Sequence, residues 1–380
     1  MKKSFALVLA LVMALSLTTV AWGASVDCSA GCSDPTNHVA AVGNNHYTDL
    51  QEAIKDAAPS GTVEILKDVT VDNWVQFDQT LTIGDGTLIT LNMDGLTING
   101  NGHKLTVNNV VSPETTKFMF NGAKELNINN LTIKIVPSDR SAISLTSGTI
   151  EKVVFEGGQC GVCPGTGNVT INECEFKTTS HAIYHEVARD NLTVTNNEFN
   201  LGANANIIIL RGSETFTGNK VNSGRTVNIA SGASPVVTGN TFNTRVKTYV
   251  SDSAISGNSF GTNGKIELAT GVTGVDVSGN YWGGSAPTDA QLGGATATTY
   301  ATTVANDGTV GDLYYSSTNT PVNPPAPPAP VYPYYPPVVE DTTDKDVTSA
   351  KTFDAGIALY VGVSVLGAVG TVALSKKRED

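Results

Sequence analysis

From about residue 105 to 282 the chain repeats one short rhythm: a polar residue, an apolar one, a polar or glycine pair, then Asn-x-aromatic. It reads Thr193-Val194-Thr195-Asn196-Asn197-Glu198-Phe199, then Thr215-Phe216-Thr217-Gly218-Asn219-Lys220-Val221. Three more copies end in Asn240-Thr241-Phe242, Asn258-Ser259-Phe260 and Asn280-Tyr281-Trp282, and looser ones centre on Val107, Ile128, Ile150 and Ile171. Successive centres lie 21, 22, 21, 23, 22, 21, 18 and 22 residues apart. Apolar–polar alternation predicts strands, and a fixed period near 21 residues predicts a solenoid with one repeat per turn. Each repeat holds a second apolar strand, such as Ala142-Ile143-Ser144-Leu145, Ala182-Ile183-Tyr184, Ile207-Ile208-Ile209-Leu210 or Lys265-Ile266-Glu267-Leu268. Short strands joined by Gly and Asn corners make an all-β parallel β-helix. A leucine-rich repeat has a similar length but needs a Leu framework and a helical side, which this chain lacks.

In-register stacking places like residues about 4.8 Å apart. Asn197, Asn219, Asn240, Asn258 and Asn280 are then expected to form a ladder of side-chain amides. Asn tolerates left-handed backbone at such bends. Phe199, Val221, Phe242, Phe260 and Trp282 are expected to stack as an apolar row. A solenoid needs closed ends. Thr48-Asp49-Leu50-Gln51 fits a capping box, and Leu50, Ala53, Ile54 and Ala57 have helical spacing, which predicts a helix covering the open N-terminal core. Gly61 ends that helix, and Thr62 to Val71 reads as a strand. Residues 285–318 read as an irregular C-terminal cap.

The two ends carry different patterns. Met1-Lys2-Lys3, an apolar run from Phe5 to Val20 and small residues at Ala21 and Gly23 form a secretory signal peptide, cut after Gly23 or Ala24. Ala355 to Ser375 is an uncharged run of 21 residues before Lys376-Lys377-Arg378. At about 1.5 Å per residue it spans roughly 30 Å, a bilayer core, with the basic cluster cytoplasmic and the rest of the chain outside. Pro321 to Pro337, dense in proline, favours polyproline II and extends roughly 50 Å as a stalk. The expected organisation is a signal peptide (1–23), an N-terminal segment with capping helix and first strands (24–104) and the repeats (105–284). The C-terminal cap (285–318), the Pro-rich stalk (319–354) and a transmembrane anchor with basic tail (355–380) follow.

Composition agrees and narrows the partners. Gly 38, Asn 32 and Thr 47 together fill 117 of 380 positions, which excludes a helical bundle or coiled coil. Without Lys2, Lys3, Lys376, Lys377, Arg378, Glu379 and Asp380 the chain keeps 18 basic and 33 acidic side chains, a formal charge near −15. Nucleic acid and anionic lipid are excluded as partners of the exported part.

Several stretches together resemble right-handed parallel β-helix proteins of Gram-positive surfaces, of the pectin lyase-like superfamily. They are Val39-Ala40-Ala41-Val42-Gly43, Tyr47-Thr48-Asp49-Leu50-Gln51-Glu52-Ala53-Ile54, Val63-Glu64-Ile65-Leu66-Lys67-Asp68-Val69-Thr70, Ile98-Asn99-Gly100-Asn101-Gly102-His103 and the Asn280-Tyr281-Trp282-Gly283-Gly284 ending. The likeness covers roughly residues 39–310 and implies the fold, which hosts lyases, hydrolases, esterases, adhesins and spacers alike. The C-terminal layout is similar to the sorting signal of Gram-positive wall proteins. Its Leu-Pro-x-Thr-Gly motif is absent, Lys351-Thr352 being a partial echo, so anchoring is expected through the membrane span or by wall linkage.

For chemistry, Gly102-His103-Lys104 does not match the Gly-His-Gly of polygalacturonase-like enzymes, and the Asp pair and Arg-Pro-Trp element of pectin methylesterases have no counterpart. The best local candidates are His181, His185, Glu186, Arg189 and Asp190, with Arg211. Arg189 and Arg211 each precede a repeat centre by five residues and should stack on adjacent turns, while His181 and His185 share a face of a regular strand. Such a patch could bind a uronate or act as acid and base. No resident cofactor is expected; Ca²⁺ enters only under a lyase reading. Cys28, Cys32, Cys160, Cys163 and Cys174 are odd in number, so they cannot all pair within the chain. Cys28 and Cys32 with His38 lack one ligand for a closed zinc site. Cys160-Gly-Val-Cys163 has redox spacing without a thioredoxin-like βαβ, and Cys174 takes the ladder position that later turns give to Asn. The expected function is a surface-displayed, non-catalytic β-helix that binds extracellular glycan or another cell-surface partner, or a structural surface element. The alternative is a polysaccharide lyase or hydrolase using the His/Arg/acid patch.

Overall fold

The computed structural model describes residues 26–27, 35–78, 91–111, 118–306, 308–318 and 322. The expected signal peptide, Cys28, Cys32, the Pro-rich stalk apart from Val322, and the 355–375 span lie outside the described residues. Among the described residues no helix is long and apolar enough to cross a membrane.

The chain winds as an all-β parallel solenoid. The first face stacks eight parallel strands, from Thr62–Ile65 through Leu126–Asn129 and Leu192–Thr195 to Val236–Thr238. The second face runs in parallel from Val69–Val71 to Thr299–Ala301. The third face is built in two pieces. Five strands run from Phe77–Asp78 to His181–Ile183, and four from Ile208–Leu210 to Lys265–Leu268. The isolated bridge His181↔Asn206 joins the pieces, with main-chain bonds from Ala182 N to Asn206 O (3.0 Å) and Ile183 N to Ile207 O (3.1 Å).

Alternation along each strand sends one set of side chains inward. Ile98, Ile128, Ile150, Ile171, Val194, Phe216 and Val237 form one continuous register on the first face and are buried. This corrects the start of the repeat. Its first-face member before Ile128 is Ile98, whereas Val107 lies on the second face opposite Ile135. Polar–apolar alternation is the same on every face, so it marks strands without naming the face. Likewise Thr62 to Val71 is two strands, Thr62–Ile65 and Val69–Val71, because the chain turns a corner between them. At the far end Ile255 and Val277 stay buried, and their segments are joined by the isolated bridges Ala254↔Asp276 and Asp276↔Thr296 instead of regular strands.

The Asn ladder is present and fully buried. Asn197 N donates to Asn219 Oδ1 (2.9 Å), Asn219 N to Asn240 Oδ1 (2.9 Å), Asn240 N to Asn258 Oδ1 (3.1 Å) and Asn258 N to Asn280 Oδ1 (2.8 Å). Each Nδ2 reaches back to a carbonyl of the turn before, as from Asn219 to Val194 O at 2.9 Å. Cys174 N starts the ladder on Asn197 Oδ1, and burial first of all pushes the Cys174 thiol up to about 12. The left-handed residue, however, is the one before each ladder amide: Asn196, Gly218, Gly239, Gly257 and Gly279 have φ between 57° and 75°. The ladder amides are selected for their two-sided hydrogen bonding instead. The aromatic row extends beyond the repeat pattern: Phe155, Phe176 and Phe199 stack at 5.0 and 5.1 Å, and Phe260 on Trp282 at 4.2 Å.

The helix Leu50–Ala57 buries Leu50, Gln51, Ala53, Ile54 and Ala57 and packs on the strands Ala40–Val42, Asn45–Tyr47 and Thr62–Ile65. Its N-cap is Asp49 rather than Thr48, the carboxylate accepting from Gln51 N and Glu52 N. The Gln51 side chain is used elsewhere, donating to Val75 O (2.9 Å) and accepting from Val75 N (3.2 Å). The helix ends at Ala57. Gly61 N then donates to Ala57 O at 2.7 Å, an approach that leaves no room for a Cβ at Gly61.

Candidate functional site

The candidate residues gather where the third face breaks. His181 opens its strand opposite Cys160 on the preceding turn and Asn206 on the next. Its Nδ1 lies 2.9 Å from Ser180 Oγ and its Nε2 3.4 Å from Asn206 Nδ2, and its ring meets Tyr184 edge-on at 4.7 Å. Desolvation holds its pKa below the ordinary imidazole value. The strand ends at Ile183, so regular alternation does not carry on to His185. His181 is half-buried, whereas the His185 imidazole is fully buried.

His185 Nδ1 lies 2.9 Å from Val187 O. A carbonyl only accepts, so Nδ1 carries the proton and Nε2 is a bare acceptor. Nε2 has no hydrogen-bond partner and stands 4.0 Å from Glu214 Oε1. Desolvation is the main cause lowering the His185 pKa, and the nearby Arg189 and Arg211 charges add to it, against the opposing pull of Val187 O and Glu214.

Glu214 is the residue that pattern reading missed. Its side chain is fully buried. Oε1 accepts from Arg211 N (2.9 Å) and Arg189 N (3.3 Å), and Oε2 from Gly212 N (2.8 Å) and Arg211 N (3.1 Å). A buried carboxylate is tolerable only when its oxygens are satisfied, and here the main chain of two turns satisfies them. The sequence held one signal. Thr215 is in register with Thr193, which places Glu214 in the inward column of Val169 and Leu192. An acid in an apolar column demands a partner.

The two arginines occupy equivalent places on adjacent turns. Arg189 Nε donates to Pro164 O (3.1 Å) and Arg211 Nε to His185 O (3.3 Å), each a carbonyl on the turn before. Glu186 is exposed and accepts from Tyr184 OH at 2.7 Å, which is the first cause raising the Tyr184 pKa. Asp190 is also exposed and accepts from Ser213 N (3.1 Å) and Ser213 Oγ (2.9 Å), bonds that lower its pKa. The structure thus brings His185, Arg189 and Arg211 around the buried Glu214, while His181 and Glu186 attend Tyr184. Since His185 and Glu214 are sealed inside the turn, neither reaches a polymer lying on the surface. Among the described residues no group of three or more His, Cys, Asp or Glu side chains could hold a metal ion.

Arg211 also borders a surface cleft of about 270 Å³ with Ile209, Asn228, Ser231 and Tyr249. Ile209, Asn228, Lys247 and Glu267 follow one another in register across this part of the third face. Glu267 engages Lys247 (2.7 Å) and Arg245 (2.8 Å), and Lys247 Nζ stands 5.4 Å over the Tyr249 ring, which stays 44% exposed. Arg211 has no ion pair among the described residues. The cleft therefore offers an aromatic surface, an amide, a hydroxyl and a guanidinium side by side.

No protein-family model, no curated protein and no solved structure matches this chain at a significant level.

Proposed function

We propose that the chain is a cell-surface β-helix protein that binds extracellular glycan without turning it over. The carrying observation is the open cleft of Arg211, Asn228, Ser231 and Tyr249 beside the sealed His185–Glu214 pair. A sugar ring presents an apolar C–H face to an aromatic ring and hydroxyls to amide, hydroxyl and guanidinium donors, the mixture that orients ligands in such clefts. The formal charge near −15 of the exported part disfavours a polyanion. A neutral glycan is the proposed ligand.

The same reading makes the solenoid right-handed and pectin lyase-like, with the helix Leu50–Ala57 covering its N-terminal end. Export by residues 1–23, the stalk at 319–354 and membrane or wall anchoring by 355–380 of a Gram-positive cell complete it. The supports are the sequence patterns at both ends and the parallel solenoid between them.

The test is to incubate the purified chain with a panel of neutral glycans and polyuronates, following both binding and polymer cleavage. Saturable binding of a neutral glycan, weakened in Tyr249→Ala and with no cleavage product, is expected. Cleavage of any polymer that disappears in Arg189→Ala and Arg211→Ala while folding persists would overturn the non-catalytic reading in favour of a lyase or hydrolase.

A further inference from the structure

Cys160 and Cys163 lie on one strand, yet their Sγ atoms are 3.2 Å apart. In an extended strand residues i and i+3 point to opposite faces. Here alternation is broken, with Cys160, Gly161 and Val162 buried in succession. Position 161 has no room for a side chain, since a Cβ there would sit 2.8 Å from the Phe176 ring. The next turn repeats the arrangement: His181, in register with Cys160, and Tyr184 are again three apart and bring their rings to 4.7 Å. The approach of the two sulfurs is therefore imposed by the fold at this face.

We infer that Cys160 and Cys163 form a redox site that closes to an intramolecular disulfide by exchange with small-molecule disulfides. A disulfide needs an S–S separation of about 2.0 Å, so closure asks for an approach of roughly 1 Å. The two thiols differ in access. Cys163 is partly exposed, whereas Cys160 is buried and its thiol is pushed well up, mainly by desolvation. Cys163 is the sulfur that meets the oxidant. Its thiolate attacks the small disulfide, forming a mixed disulfide and releasing one small thiol. The Cys160 sulfur, having given its proton to solvent, then displaces the second small thiol and closes the Cys160–Cys163 bond. Two protein thiols are oxidised and one small disulfide is reduced to two thiols. Cys174 takes no part, being buried on the Asn ladder with its Sγ 3.5 Å from Ile150 O.

The experiment equilibrates the full chain with graded mixtures of oxidised and reduced glutathione, quenches with iodoacetamide and cuts after Glu156 and Glu173. That isolates residues 157–173, holding Cys160 and Cys163 without Cys174. The peptide is expected to pass from two alkyl labels to none, with the loss of two hydrogens, in a single transition. The folded chain should close at a ratio of oxidised to reduced glutathione at least tenfold lower than the urea-unfolded chain. Two labels at every ratio, a stable glutathione adduct, linkage to Cys28 or Cys32, or closure at the same ratio folded and unfolded would overturn the proposal. The measurement uses the native sequence, so no variant has to fold.

Discussion

Glu214 Oε1 stands 4.0 Å from His185 Nε2, with both side chains fully buried and the imidazole proton committed to Val187 O on the other nitrogen. The pair is a neutral imidazole facing a carboxylate that main-chain N–H groups already hold.

The arrangement fixes the sign of a pH effect. Burial lowers the folded-state pKa of His185, so the unfolded chain, whose imidazoles titrate at about 6.5, binds that proton more tightly. His181 shifts in the same direction. The contribution of these two histidines to stability is full above pH 6.5 and is lost as pH falls from there towards the lower folded values. The carboxylates with lowered pKa, Asp68, Asp190 and Glu267, act in the same direction but only at more acidic pH. Urea midpoints at pH 7.5 and 5.5 should therefore fall for the native chain and fall less for His185→Asn. Equal losses in the two proteins would remove His185 as a source.

The ladder gives a stability prediction. Truncating Asn219→Ala takes the acceptor from Asn197 N and the donor from Val194 O, both inside the solenoid. Each buried polar group left unpaired costs about 1–3 kcal/mol, so a total of roughly 2–6 kcal/mol is expected for the two. Asn263→Ala, at an exposed position, should stay within about 0.5 kcal/mol. Denaturant titration of the two variants checks this, and similar losses at both sites would show that the ladder amides carry no special load.

What the pattern made legible was whatever recurs. Asn197 to Asn280 and the Phe rows come once per turn, and stacking makes like residues neighbours, so period alone located them. Corners were harder. Gly218 and Asn196 share a left-handed conformation that belongs to the residue before the amide, a one-residue offset that composition does not mark. Val107 fits the repeat in sequence but lies on the second face, because its alternation is shared by all faces. Glu214 was missed because it occurs once, and its partners are backbone N–H groups supplied by two turns that only the fold brings together. Of the candidate patch, the adjacency of Arg189 and Arg211 followed from spacing, while the burial of His185 depended on a strand that stops at Ile183.

Glu214→Leu separates the column from the main-chain role. A leucine matches Leu192 on the turn before and suits the apolar column. It would leave the N–H groups of Arg211 and Gly212 without their acceptor, and a loss of about 2–5 kcal/mol is expected despite the gain in apolar contact. Glu214→Gln retains an acceptor oxygen and should lose less. Thermal unfolding of the two variants checks the order, and a Leu variant as stable as the native chain would mean that the column, not the hydrogen bonds, governs the site.

The cleft predicts how binding responds to salt as well as to substitution. A neutral glycan held by the Tyr249 face and by hydrogen bonds to Asn228 and Arg211 would meet no electrostatic penalty from the acidic chain. Its affinity should then change little across a range of salt that screens exposed charges, where the Debye length shrinks from about 10 Å at 0.1 M to about 3 Å at 1 M. Tyr249→Ala removes the stacking surface and should weaken binding about tenfold, which is about 1.4 kcal/mol. Tyr249→Phe keeps the ring and should bind nearly as well. Asn228→Ala, on the same face one turn before Lys247, should lose a hydrogen bond of about 1 kcal/mol without disturbing the Lys247–Glu267 pair. Isothermal titration at 0.1 M and 1 M salt tests all of these together. Affinity that collapses in high salt and survives Tyr249→Ala would assign the cleft to an anionic ligand held by Arg211 alone.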